Sequence, residues 1–184
     1  MSLLEIHKVP PLMFNIKLLK PEYIEVKKFI LRINGAWMDI HRLNYIAKYL
    51  VLQLTEDKRR KVDIFSNMGV MAKDFYIHFS IVFILLREIS KKLKGNRDCS
   101  QFIVTYNNFY KNLGEKIQKI RNPLLTHMEK PDYMNHIGYV QNTSCGGLFL
   151  SIATEKDGVF QLKPFMDAKE LENYLVKIKE VIEA

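Results

Sequence analysis

The sequence predicts a mainly α protein: an antiparallel helical bundle with a small C-terminal β-hairpin and a final helix. Three observations predict it. Apolar residues recur at three- to five-residue steps over 24–54, 66–93, 102–124 and 171–181. Glycine and proline are scarce, at 8 and 6 of 184 residues, so elements should be long and connections short. Asp157-Gly158 separates two short β-prone runs, 148–153 and 159–162, which is a hairpin signal. With 48% hydrophobic and 26% charged residues, the chain reads as one globular domain. That domain divides into an N-terminal arm (1–20), the bundle (21–130) and an elaboration of loop, hairpin and helix (131–184).

In the arm, residues 13–18 half alternate and predict a strand. Pro21 suits a first helical turn, with Glu22 and Glu25 at the positive end of the dipole. Ile24, Phe29, Ile33, Trp37, Ile40 and Leu43 begin an apolar face that continues through Ile46, Ala47, Leu50 and Leu54. Asn34-Gly35 is a potential break or bend in it. Residues 55–62 are a charged connector or helix end. Ser66 is the expected cap of a second helix reaching Leu93. That helix is apolar on nearly every side, so it belongs at the bundle centre or at a subunit interface. Its stop is the cationic turn Lys91, Lys92, Lys94 followed by Gly95.

A third helix is expected from Asp98 or Ser100 to near Lys130, with Phe102, Tyr106, Phe109, Tyr110, Leu113, Ile117 and Ile120 on its apolar face. Pro123 either kinks it or restarts it, with Asn122 as the cap. Residues 131–147 read as loop. The last helix, 167–182, presents Leu171, Tyr174, Leu175, Ile178 and Val181.

The net charge is +8, and it is uneven: residues 1–130 carry 23 basic and 12 acidic residues, residues 131–184 carry 5 and 8. A basic field of this kind suits a polyanionic partner such as nucleic acid or an anionic membrane surface, with a solvated basic surface as the plain alternative. Lys58, Arg59, Arg60 and Lys61, then Lys91 and Lys92, then Lys119 are the candidate nucleic-acid contacts. The N-terminus lacks the pattern of a signal peptide, and the most apolar run, 75–86, is too short to span a bilayer. A cytoplasmic protein with no membrane partner is expected. Cys99 and Cys145 form no CxxC and read as reduced thiols.

Most sequence-readable chemistry is absent. There is no glycine-rich phosphate loop, no HExxH and no GxSxG. His127 and His136, with Asp132 between them, match no standard ligand spacing, so neither a metal nor another cofactor is expected. Tyr106, Phe109 and Tyr110 have the faces to stack bases, but their helical spacing assigns them to the core or an interface first.

One segment stands apart, Ile120-Arg121-Asn122-Pro123-Leu124-Leu125-Thr126-His127. Arg offers a planar bidentate donor to a phosphate oxygen, and His titrates near neutrality and can move a proton at a ribose hydroxyl. The pattern Arg121-Asn122-x4-His127, late in a bundle helix, resembles the signature of the HEPN superfamily (higher-eukaryote and prokaryote nucleotide-binding domains). Within it, the phrase is most similar to the abortive-infection branch. The resemblance covers 21–130. Thr126 and Pro123 depart from the usual pattern, and six residues place Arg121 and His127 about 120° apart on an ideal helix.

The resemblance implies a HEPN-like bundle and a homodimer in which both motif copies line one cleft. It also implies metal-independent endoribonuclease activity in a phage-defence or toxin-type system, with an antitoxin or defence partner. On that analogy Arg121 holds the scissile phosphate, Asn122 orients it or the histidine, and His127 transfers the proton. The alternative is a non-catalytic RNA- or nucleotide-binding protein, or a dimeric helical interaction protein.

Overall fold

The computed structural model describes residues 12–56, 61–118, 136–142, 148–156 and 159–184. Among them the chain is mainly helical. The helices are α1 (Lys27–Glu56), α2 (Lys61–Leu93), α3 (Ser100–Phe109) and α4 (Ala168–Ile182). Only four residues separate α1 from α2, and Asp39 and His78, near the two midpoints, are 3.7 Å apart. The pair is therefore an antiparallel helical hairpin.

Pro21 does open a helical stretch, but its first turns are a 3₁₀ helix, Pro21–Val26, which leads directly into α1. The helix passes Asn34-Gly35 without a break. The reason lies in the Asn34 side chain, which does not compete for its own helix backbone. It is buried and clamps the arm: Oδ1 accepts from Phe14 N at 2.9 Å, and Nδ2 donates to Phe14 O at 2.9 Å. Gly35 is exposed, and a Cβ added there meets nothing within 4 Å.

The arm is not the strand expected over 13–18. Residues Ile16–Leu18 form a 3₁₀ turn whose cap, Asn15, accepts from Lys17 N at 3.0 Å. A side chain that caps a turn offers the backbone an alternative to a sheet ladder. The arm is tied instead to the end of α4. Lys179 Nζ donates to Met13 O at 2.7 Å, Glu183 Oε1 accepts from Asn15 N at 2.6 Å, and Ala184 N donates to Leu18 O at 2.9 Å. Leu12 and Phe14 are buried beneath these bonds.

Helix α2 begins at Lys61, five residues before the expected cap Ser66, and α1 runs to Glu56, so both ends of the charged stretch 55–62 are helical. It ends where the cations and glycine predict: Gly95 takes φ +92°, and Asn96 N donates to Leu93 O at 3.1 Å. Phe79, Val82, Phe83, Leu85, Leu86, Ile89 and Leu93 are all buried, which places this helix at the centre of the bundle. Ile24, grouped by spacing with the apolar face of α1, lies outside the core at 54% exposure.

The third helix starts at Ser100 as expected. It widens to a π turn over Tyr110–Gly114, and 115–118 are again helical. At Gly114 an added Cβ would lie 2.9 Å from the Phe83 ring and 3.0 Å from Tyr110. Glycine is needed there because α2 and α3 approach closely, not because of its backbone freedom. The two glycines therefore respond oppositely to alanine. Gly35→Ala is expected to stabilise by about 0.5–1 kcal/mol through helix propensity. Gly114→Ala is expected to destabilise by about 1–2 kcal/mol, because overpacking against a buried ring outweighs the same propensity gain. Urea denaturation of both variants checks the contrast.

The expected two-stranded hairpin is not the unit formed in the C-terminal third. Residues His136–Asn142 (β1), Leu148–Lys156 (β2) and Val159–Asp167 (β3) pair antiparallel in the order β1-β2-β3. Strand β1 comes from a stretch read as loop. Its register runs from His136 opposite Thr154 to Asn142 opposite Leu148. The β2–β3 register shifts between Leu150 and Ser151. Helix α4 follows and buries Leu171, Leu175, Ile178 and Ile182, a period of three to four residues.

Candidate functional site

The sequence candidates fall into two sets. Lys58, Arg59 and Arg60, Lys119, and the triple Arg121, Asn122 and His127 lie outside the described residues. So do Cys145 and the rest of the segment from 119 to 135. Lys61 is the first residue of α2, and Lys91 and Lys92 are exposed on its last turn.

The helices fix how Lys91 and Lys92 stand to the run-up of the Arg-Asn-x4-His segment. Phe83, about 12 Å down the axis of α2 from Lys91, stacks on Tyr110 at 6.2 Å and tilts against Phe109 at 6.3 Å. Thus 100–118 runs antiparallel to α2, away from Lys91 and Lys92. The described chain delivers Gln118 at the other end, where its Oε1 accepts from the Tyr110 hydroxyl at 3.3 Å. The structure does not bring these two lysines to the entrance of the motif segment. Lys91 is also partly neutralised by Glu88, at 2.6 Å. Hydrogen bonding to Lys91 is the main cause that holds the Glu88 carboxyl below its ordinary pKa.

The aromatic trio of α3 belongs to the core. Phe102 and Phe109 are fully buried and Tyr106 nearly so, while Tyr110 is packed against Phe83. Tyr106 and Phe109 therefore present no face as a base-stacking platform. Burial raises the Tyr106 phenol above its ordinary pKa. Cys99 is a free, buried thiol, its Sγ 3.8 Å from the Glu22 carbonyl, and burial raises its pKa too. Such a thiol is a structural group, not a nucleophile.

Beside it Tyr23 is pushed up to about 12, mainly by burial. A phenol whose folded pKa exceeds its unfolded value supports the fold below the unfolded pKa, and that support is lost as pH rises through the folded value. Stability is therefore expected to fall between about pH 10 and 12, and to fall less in Tyr23→Phe, as alkaline unfolding curves would show.

Two polar arrangements were not legible as sites. The first joins α1 to α2. Asp39 Oδ1 pairs with Arg42 at 3.3 Å, and Asp39 Oδ2 stands 3.7 Å from His78 Nδ1. That nitrogen is buried and has no hydrogen-bond partner among the described residues. Asp39 and His78 are 39 residues apart, so no motif spacing could have paired them.

The second is a groove of about 410 Å3 between α3 and α4, lined by Val104, Asn108, Asn112, Tyr174, Lys177 and Glu180 among others. Asn112 Nδ2 donates to Asn108 O at 2.8 Å and to the Tyr174 hydroxyl at 2.9 Å. Both amide protons are thereby used, and its Oδ1 remains an acceptor at a fixed position. One face of the Tyr174 ring carries Lys177 Nζ at 5.5 Å, and Phe109 meets the ring in T-shaped geometry at 5.4 Å. The available signal was the i, i+4 pair Asn108 and Asn112 on one helix face.

Among the described residues no three His, Cys, Asp or Glu side chains gather as metal ligands. No described helix is long and apolar enough to cross a membrane. No family model, no curated protein and no solved structure matches this chain.

Proposed function

We propose that this protein is a metal-independent endoribonuclease of HEPN type, working as a homodimer in a phage-defence or toxin-type system. The observation that carries the reading is the Arg121-Asn122-x4-His127 spacing, which begins three residues along the chain from the last described helical residue, Gln118, on a segment whose apolar face is buried through Ile117. The mainly helical fold and the net charge of 1–130 are in keeping with it.

The chemistry is transesterification. The ribose 2′-oxygen attacks phosphorus, the bond to the 5′-oxygen breaks, and a 2′,3′-cyclic phosphate and a 5′-hydroxyl result. One proton leaves the 2′-hydroxyl and one reaches the 5′-oxygen, so the step needs one base and one acid. His127 from each of two chains supplies them. Arg121 holds the non-bridging oxygens as their charge grows, and Asn122 orients the phosphate or the imidazole. An antitoxin or defence partner would act by covering this cleft.

His127→Ala is expected to lower cleavage by about 10²–10⁴-fold while leaving salt-sensitive RNA binding in place. RNA binding without product, equal in wild type and variant, would instead favour the non-catalytic binding protein.

A further inference from the structure

We propose that the groove between α3 and α4 binds the nucleoside moiety of a nucleotide or an RNA strand. The inference rests on the RNA-directed reading for the source of the ligand, but not for its chemistry. The charged groups of the lining are Lys177 and Glu180, which cancel, so the groove is not a track for a phosphate backbone. What it offers is hydrogen bonding. Asn112 Oδ1 is held as an acceptor by the two bonds its amide nitrogen donates. Asn108 and Gln101 add amides, and the Glu180 carboxylate suits ribose hydroxyls.

Val104, 53% exposed, supplies an apolar wall for the face of a base. The Tyr174 ring is already covered by Lys177 and met by Phe109, so it has no open platform of the kind a carbohydrate ring needs. The volume of about 410 Å3 falls in the range of small-molecule sites. Edge-reading amides beside an apolar wall fit a planar heterocycle with a polyhydroxyl sugar.

The test is an NMR titration of the isotope-labelled full chain with adenosine and uridine 5′-monophosphates. A parallel titration uses a 2′-O-methyl oligoribonucleotide, which cannot be cleaved through its 2′-oxygen. The side-chain amide signals of Asn108 and Asn112 are expected to shift. Asn112→Ala, at an exposed position, is expected to weaken binding about tenfold, the equivalent of about 1.4 kcal/mol. Shifts with the monophosphates identify a free nucleotide as sufficient; shifts with the oligonucleotide alone identify a strand. Amide signals unmoved by both probes, or unchanged affinity in Asn112→Ala, would overturn the proposal. Shifts in a chain that cleaves no RNA would leave the groove standing and remove the ribonuclease reading.

Discussion

Phe83→Ala is expected to destabilise the fold by about 3–5 kcal/mol. The ring is 1% exposed and sits where α2 meets α3, against Phe109, Tyr110 and the bare Cα of Gly114. Deletion removes its transfer free energy and leaves a cavity that two long helices cannot close. A domain of this size is held by roughly 5–15 kcal/mol, so one residue accounts for a large share. The melting temperature should fall by roughly 6–20 °C, and the urea midpoint should drop with little change in slope. Phe83→Leu, which keeps more of the volume, should lose about 1–2 kcal/mol. A loss below about 1 kcal/mol in Phe83→Ala would mean that this aromatic contact does not join the helices.

The second large effect belongs to Asn34. Asn34→Ala removes both hydrogen bonds to Phe14 and leaves a buried N–H and a buried carbonyl without partners. At about 1–3 kcal/mol for each of the two groups left unpaired, the expected cost is about 2–6 kcal/mol. The loss is local in origin, because Lys179 and Glu183 still hold Met13 O and Asn15 N. Amide exchange at Phe14 should accelerate more than exchange in α2. Asn34→Asp keeps the acceptor for Phe14 N–H and sets a carboxylate against Phe14 O, so it should be no better than alanine. Unchanged exchange at Phe14 in Asn34→Ala would show that the clamp does not fix the arm.

The same residue shows how far the sequence could be read. Periodicity placed the helical runs because burial repeats with the helix turn, and the stop at Gly95 was legible because cations and a glycine act locally. Asn34-Gly35 misled for the opposite reason. Asparagine and glycine break helices when their neighbours are all that matter, and here the deciding partner is Phe14, twenty residues away. Strand β1 was missed because His136–Asn142 contains Gly138 and polar residues, and its pairing with β2 is a non-local fact. Strand β1 and the docked arm, unlike the long helices, depend on partners that no window of sequence contains.

The candidate site divides in the same way. Arg121, Asn122 and His127 were legible because their spacing is a local pattern with a chemical meaning. Asp39 with His78, and Asn112 with Tyr174, come together only when helices pack, and neither pair matches a motif. Lys91 and Lys92 were grouped with the motif by charge alone. The antiparallel run of α3 along α2 carries the chain away from them before residue 119.

The central claim is that Arg121 and His127 cleave RNA without a metal. Its most direct test is incubation of end-labelled RNA in EDTA with wild-type protein and with an Arg121→Ala/His127→Ala double variant at equal purity. Cyclic-phosphate ends from the wild type and none from the variant are the predicted result. Equal cleavage by both, or no cleavage by the wild type at low salt and high protein concentration, would contradict it.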